Sequence, residues 1–435
     1  MQRALNYRAM PALSVPMPFL LAAPYFAIAA SLLLVWQGEA ALVSRWTPVT
    51  LAMTHLVVLG FLTMTIAGAL FQLLPVTAGV AIPLARPLSR CAFGALVAGT
   101  ALLAAALGSG LHGQALRAAA GLLGIAGFAF LSAIGAAIAG RVPPAARALV
   151  EGVRYAAAAL AITIALGATL ALYLGGVGVL DAPLLTDVHA AWGLVGWVVV
   201  LTATVSFQVI PMFQGTAAYP RWFEACMPAL VFALLFGWTA AVLLDAPWWR
   251  LACEAGVALV LIKYVVTTLL YLRRKRKPDA GTRFWQLSMA CLLLAVLLRF
   301  VPFEALGIDS GARALLIGVL VIVGCAVSAV NGMLYEIVPF LVWFHLQDDA
   351  RTARERIPDM KAILGEEHAL RQWRWHLAGF LLLTLAPLAP GVLARPAGVF
   401  LLVSMLLLVR DMGRATVLYV RARPTWDKAK RTTVL

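Results

Sequence analysis

Apolar runs long enough to cross a membrane follow one another along almost the whole chain. A bilayer core of roughly 30 Å requires about 20 apolar residues per helix, and runs of that kind fill the sequence from Pro16 to Val409. Of the 435 residues, 63% are hydrophobic and only 12% are charged, whereas about a quarter are charged in soluble domains. The chain is therefore predicted to be a polytopic membrane protein.

Twelve transmembrane helices are predicted, in an all-α fold, because lipid leaves backbone groups no partner outside a helix or a closed barrel. The predicted spans are 16–36, 50–76, 91–108, 118–140, 155–176, 187–213, 223–244, 251–272, 285–302, 313–342, 375–392 and 396–412. We predict a cytoplasmic loop with a short surface helix at 345–374 and a basic cytoplasmic tail at 413–435. The chain, 1–435, is read as a single transmembrane domain.

The net charge of +15 follows the predicted topology. Five of the 34 Lys and Arg residues fall in the odd-numbered loops and two fall inside spans, while the rest lie in the even-numbered loops and toward the two termini. Cytoplasmic loops carry the excess of Lys and Arg, so both termini are predicted to be cytoplasmic in a bacterial inner membrane. The basic run 273–277 then anchors the chain to anionic headgroups. The charge thus indicates a lipid bilayer as partner and argues against nucleic acid.

An internal repeat organises the helices. The second, sixth and tenth spans end on one pattern, an aromatic residue, then Gln or Glu, two aliphatic residues and Pro. The copies are 71–75, 207–211 and 335–339, which are 136 and 128 residues apart. We therefore predict three four-helix units, roughly 16–140, 155–272 and 285–412, in a pseudo-three-fold arrangement. The three equivalent helices run in one direction and are expected to surround shared interior space.

At three helices the sequence resembles the catalytic subunit of heme-copper oxidases, above all the C-type oxidases and nitric oxide reductases. His55 opens the second span and His189 the sixth, as the family's heme-ligating and copper-ligating histidines do. The tenth span ends Gly-Met-Leu-Tyr-Glu-Ile-Val-Pro at 332–339, which is similar to the family's Gly-Met-Leu-Tyr-Tyr-Leu-Val-Pro. The resemblance implies the same helical arrangement and a link to respiratory redox chemistry.

Most of the metal ligands that this family uses are missing here. The tenth helix of the family carries two histidines, and the aligned positions are Ile317 and Val319; the seventh span, 223–244, has no His. Copper at such a site needs several imidazoles, so copper is not expected, and reduction of oxygen or nitric oxide is disfavoured. The chain is also similar to NnrS-type membrane proteins of denitrifying bacteria, through His55, Gly60 and Pro75-Val76-Thr77-Ala78-Gly79.

His55 and His189 are the candidate cofactor ligands. Histidine is a usual axial ligand of heme iron, and ionisable residues inside spans point to function. Heme b on a single histidine is the form expected from the resemblance. The alternative is a pair of scaffold histidines that hydrogen-bond to backbone carbonyls. No confident site for a bare metal ion is predicted.

Gln72, Gln208 and Glu336 occupy matching repeat positions and form a predicted polar layer. Gln72 follows His55 by 17 residues and Gln208 follows His189 by 19, which places the layer roughly 25–28 Å further along the helices. Either the layer admits protons or a polar substrate around Glu336, or the side chains only hydrogen-bond across the bundle. The second interpretation is favoured for the glutamines. Lys263 in the eighth span is predicted to be a buried charge, with snorkelling as the alternative.

These features favour a heme-copper-oxidase-like membrane protein without an intact dinuclear centre, which binds heme and serves respiratory or nitric-oxide-related redox physiology, in company with other respiratory membrane subunits. Two alternatives remain. One is a transporter or permease that uses the repeat architecture, and the other is a cofactor-free assembly partner. Whether the chain is an enzyme is left open.

Overall fold

The computed structural model describes residues 10–110, 113–179, 181–303, 310–353 and 359–432. Twelve long helices account for most of them: α1 Met17–Leu42, α2 Pro48–Ala78, α3 Ala85–Gly108, α4 Gly113–Ala139, α5 Pro144–Leu174, α6 Ala182–Gln214, α7 Arg221–Leu243, α8 Pro247–Arg273, α9 Ala280–Leu298, α10 Gly311–Gln347, α11 Glu366–Leu385 and α12 Pro390–Thr432. The described residues contain no strand. All of these helices except α11 contain a stretch long and apolar enough to cross a membrane, so the prediction of an all-α membrane protein is confirmed.

The three repeated helices share a local distortion at matching positions. A π-helical segment covers Leu56–Thr63 in α2, Trp192–Val199 in α6 and Leu320–Val327 in α10. The segments are spaced by the same 136 and 128 residues as the terminal motif. The repeat seen in the sequence is therefore also a repeat of backbone geometry, and π-helical turns are frequent at functional sites.

The same three helices form the centre of the bundle. In their most apolar windows, 67% of α2, 72% of α6 and 56% of α10 is buried, against 50% or less in every other candidate span. The π-helical segment of α10 contacts those of α2 and α6, and Trp197 on α6 donates a hydrogen bond from Nε1 to Thr63 Oγ1 on α2 at 3.1 Å. These three helices therefore meet around shared interior space, as predicted.

The outer surface of the bundle is apolar. Large side chains such as Trp36, Phe128, Leu259 and Trp248 are 69% to 83% exposed. In water such a surface would be unfavourable, whereas against acyl chains it costs nothing. The surface therefore suits contact with a lipid bilayer.

The segment predicted as a loop at 345–374 is shorter than expected. The helix that contains α10 continues to Ala353, a short helix covers Met360–Ile363, and α11 already begins at Glu366. Charged residues do not by themselves end a helix, because Arg and Glu, like Ala and Leu, have high helix propensity. Helix α12 likewise runs to Thr432, through most of the predicted tail.

Candidate functional site

The two candidate ligands lie side by side inside the bundle. His55 is the last residue before the π-helical segment of α2, and His189 lies three residues before that of α6. Their ring centroids are 6.4 Å apart and the ring planes differ by 21°. Although the repeat register offsets the two by two residues, the fold brings them together.

Hydrogen bonds fix the orientation of both imidazoles. Nδ1 of His55 lies 2.8 Å from the carbonyl oxygen of Leu51, and Nδ1 of His189 lies 3.1 Å from that of Thr163. A carbonyl oxygen only accepts, so each ring donates from Nδ1–H and keeps its lone pair on Nε2. A scaffold histidine would form the same bond, yet this arrangement also orients a metal-ligating histidine.

The spacing of the two imidazoles equals that of two ligands on one metal ion. Metal–nitrogen bonds of about 2 Å place the centroids of two imidazoles on opposite sides of one ion roughly 6 Å apart, close to the spacing seen here. Heme iron with histidine ligands would be one such centre. Within the described ranges, no group of three or more His, Cys, Asp or Glu side chains is arranged to hold an ion. The pair would therefore need further donors from a macrocycle or from outside the protein.

A porphyrin ring also needs space, and the neighbouring glycines are closely covered. A Cβ on Gly60 would lie 2.3 Å from Phe26, and one on Gly167 would lie 2.9 Å from the ring of His189. A porphyrin held by His55 and His189 would therefore require the side chains around them to move.

The three matching polar positions of the repeat differ in their hydrogen bonding. Gln72 is 6% exposed and its amide nitrogen and oxygen have no hydrogen-bond partner within the described part of the chain. The cross-bundle hydrogen bond expected for Gln72 is therefore missing. Gln208 has a polar partner of its own. The Glu336 carboxylate lies against Gly281, where a Cβ would be 3.0 Å from Oε1.

Glu336 belongs to a polar cluster at the basic end of the bundle, where residues 273–277 lie. Lys275 Nζ donates to Gln214 Oε1 at 2.8 Å and to Asp279 Oδ2 at 2.5 Å. Thr282 donates to Asp279 Oδ1 from both its amide and its hydroxyl. Burial would raise the pKa of the Asp279 carboxyl, but the hydrogen bonds from Lys275 and Thr282 outweigh it and hold that pKa below its usual value.

Lys263 is not a buried charge, which corrects the sequence-based expectation. It is exposed on the outer face of α8, and its Nζ lies 4.1 Å from the ring centroid of Trp222. Trp222 stands at the start of α7, at the basic end. The long side chain therefore snorkels along the bundle surface to an aromatic residue.

A buried polar stripe on α11 was not foreseen from the sequence. His376 is fully buried, and its Nε2 lies 2.8 Å from Ser328 Oγ of α10. Gln372 donates to Ser404 Oγ at 2.8 Å, and His368 lies 3.6 Å from the buried Asp411. The spacing of four residues was the available signal, because such residues share a helix face.

A cavity lies between α2, α6 and α10, beyond the histidines toward the basic end. A water-sized sphere can occupy about 110 Å³ of it. Side chains from all three repeats line it, among them Leu70, Val205 and Ile337, together with Trp285 of α9. Neither His55 nor His189 is among the lining residues. The cavity is thus a second feature, separate from the histidine pair.

Comparison with protein-family models finds no match to this chain, and comparison with curated protein sequences finds none either. The oxidase-like and NnrS-like resemblances therefore rest on the residues quoted above. What the structure adds is that the chain is a multi-helix membrane protein whose three repeated helices meet at its centre.

Proposed function

We propose that this chain is a redox-active membrane protein that holds one transition-metal centre between His55 and His189, with heme b as the form that its oxidase-like motifs imply. The pairing of the two imidazoles carries the proposal. Their centroids are 6.4 Å apart, and both hydrogen bonds leave Nε2 as the available ligand atom. Two histidines at one centre extend the single-ligand form expected from the sequence.

The residues near the site support binding and orientation of the metal. Leu51 and Thr163 hold the rings through their carbonyl oxygens, and this contact makes the imidazoles better donors. A bound iron would supply one-electron chemistry. A dinuclear centre is not proposed, since Ile317 and Val319 stand where further histidines would be needed. Reduction of oxygen or nitric oxide is disfavoured for the same reason.

The first test is the metal content of the purified protein together with its reduced-minus-oxidised visible spectrum. We expect one equivalent of iron and a Soret band in the wild type, and at least a tenfold loss of both in His55→Ala and His189→Ala, since each variant would remove one of the two histidines proposed to hold the iron. His345→Ala is the matched control. Nδ1 of His345 also hydrogen-bonds to a backbone carbonyl, that of Leu341 at 2.9 Å, but His345 lies near the basic end and not at the histidine pair.

The outcomes separate the forms of the proposal. Suppose that the wild type binds one equivalent of iron, copper or zinc, that both histidine variants lose it, and that no Soret band is seen. That result would support a metal centre at the two histidines and would rule out heme. A colourless wild type without bound metal, or a metal that survives in both variants, would contradict the proposal.

A transporter or permease is the second candidate function, and the cavity between the three repeated helices favours it. Substrate paths of repeat-built transporters run between their repeats. We further propose a bacterial inner membrane as the location, with both termini cytoplasmic, from the distribution of Lys and Arg. Other respiratory membrane subunits are the proposed partners of the redox form.

A further inference from the structure

The cavity between α2, α6 and α10 leaves open space at the centre of the fold. A water-sized sphere can occupy about 110 Å³ of it, several times the roughly 10–15 Å³ that one water molecule needs. Its walls come from the most buried parts of the bundle. Since protein interiors are usually close-packed, open space of this size at the centre of the fold indicates an occupant.

Two polar groups of the wall have no partner. Thr65 is 3% exposed and Gln72 is 6% exposed. Within the part of the chain that the structure describes, neither the Thr65 hydroxyl nor the Gln72 amide forms a hydrogen bond. A buried polar group without a partner costs free energy, and the hydrocarbon core of a membrane holds no water that could hydrogen-bond to it. A ligand with its own donor or acceptor would supply the missing hydrogen bond.

The remaining wall excludes a charged ligand. None of the residues that line the cavity in the described ranges is Asp, Glu, Lys, Arg or His. An ion or a carboxylate placed there would lack a counter-charge, which is costly in an apolar environment. Side chains such as Val209, Phe213, Met333 and Phe340 instead offer apolar contact.

We propose that this cavity binds a neutral, lipid-soluble molecule with a long apolar body and one carbonyl or hydroxyl group, which hydrogen-bonds to Gln72. Such a molecule comes either from glycerides of the membrane or from its isoprenoid quinones. The cavity shares no lining residue with the histidine pair. The proposal therefore stands whether or not His55 and His189 hold a metal.

The test uses the full-length protein in detergent and a photoreactive long-chain alcohol that carries a diazirine. We expect labelling of peptides from α2, α6 and α10 in the wild type. Gln72→Leu should reduce labelling about fivefold, as loss of one hydrogen bond does. Ala69→Phe, and independently Val205→Phe, should reduce it at least about tenfold, because the new rings fill the space. The matching long-chain carboxylate should label far less.

Two matched controls separate binding from folding. Asn331→Leu removes another buried amide without a partner in the described residues, yet Asn331 does not line the cavity. Ala101→Phe adds the same ring on an exposed face of α3. Both should label as the wild type does, and gel filtration checks that every variant is folded.

Mass spectrometry of the lipids extracted from purified protein identifies the source. A retained glyceride or a retained quinone that Ala69→Phe loses supports the proposal. Three results would overturn it: no labelling of the wild type at these helices, equal labelling in folded Ala69→Phe and Val205→Phe, or equal labelling by alcohol and carboxylate.

Discussion

At the scale of single residues, the sequence indicated the histidines but not their surroundings. His55 and His189 were recognisable because each lies near the start of an equivalent helix, and the structure brings their ring centroids to 6.4 Å from each other. The free amide of Gln72 was not recognisable, since a cavity depends on packing between distant parts of the chain. Lys263 was misjudged because a lysine inside a span can reach the surface along its apolar stem.

A close contact at Gly60, in the π-helical segment that follows His55, gives a residue-scale prediction. The Cβ of a Gly60→Ala variant would lie 2.3 Å from Cγ and 2.4 Å from Cβ of Phe26, so the backbone or the adjacent helix has to move. Overpacking of this kind costs typically about 1–3 kcal/mol. We expect a lower thermal unfolding midpoint for Gly60→Ala in detergent.

Gly121→Ala is the control, because a Cβ at the exposed Gly121 would meet nothing within 4 Å. It should unfold at or above the wild-type midpoint, since Ala has the higher helix propensity. Equal midpoints for the two variants would show that α1 and α2 do not pack as described.

At the scale of helices, the sequence predicted the number and the repeat and missed the distortions. The terminal motif revealed three equivalent helices. The π-helical segments at Leu56–Thr63, Trp192–Val199 and Leu320–Val327 left no trace in hydropathy, because one wider turn changes neither length nor composition appreciably. The end of α10 was placed too early for a similar reason, since charge marks the membrane boundary and not the end of a helix.

The start of α9 yields a prediction about pH. Asp279 caps this helix through the Thr282 amide at 2.9 Å and pairs with Lys275, and its pKa lies below the usual value. A carboxyl whose pKa is lower in the folded state stabilises the fold above its unfolded pKa, and this contribution is lost as the pH falls through the folded pKa. We expect Asp279→Ala to unfold at a lower temperature than the wild type at pH 7.

The difference in unfolding temperature between Asp279→Ala and the wild type should shrink as the pH falls below about 4, the ordinary pKa range of aspartate. Thermal unfolding in detergent at a series of pH values measures it. Asp181→Ala is a control for capping alone, because Asp181 caps α6 through the Leu184 amide at 3.2 Å. A gap that stays constant or widens toward low pH would contradict the role given to the Asp279 carboxylate.

At the scale of the whole molecule, composition was sufficient to predict a membrane protein. The repeat was sufficient to predict which helices lie at the centre of the bundle. Apolar runs of membrane length made an all-α membrane fold the only reasonable prediction, and the structure has eleven candidate spans among its described residues, with α11 beside them. Which helices pack at the centre followed from the motif shared by α2, α6 and α10. Both the histidine pair and the cavity depend on that central packing.

Cysteine cross-linking in native membranes tests this central packing most directly. In a chain whose five natural cysteines are replaced, single cysteines are introduced in pairs at Ala69, Val205 and Met333, one from each repeated helix and all lining the cavity. A short bifunctional maleimide should join all three pairs and should fail with the pair of Ala69 and the lipid-facing Leu259. Failure of any of the three pairs, while each single cysteine still reacts with a monofunctional maleimide, would contradict the account.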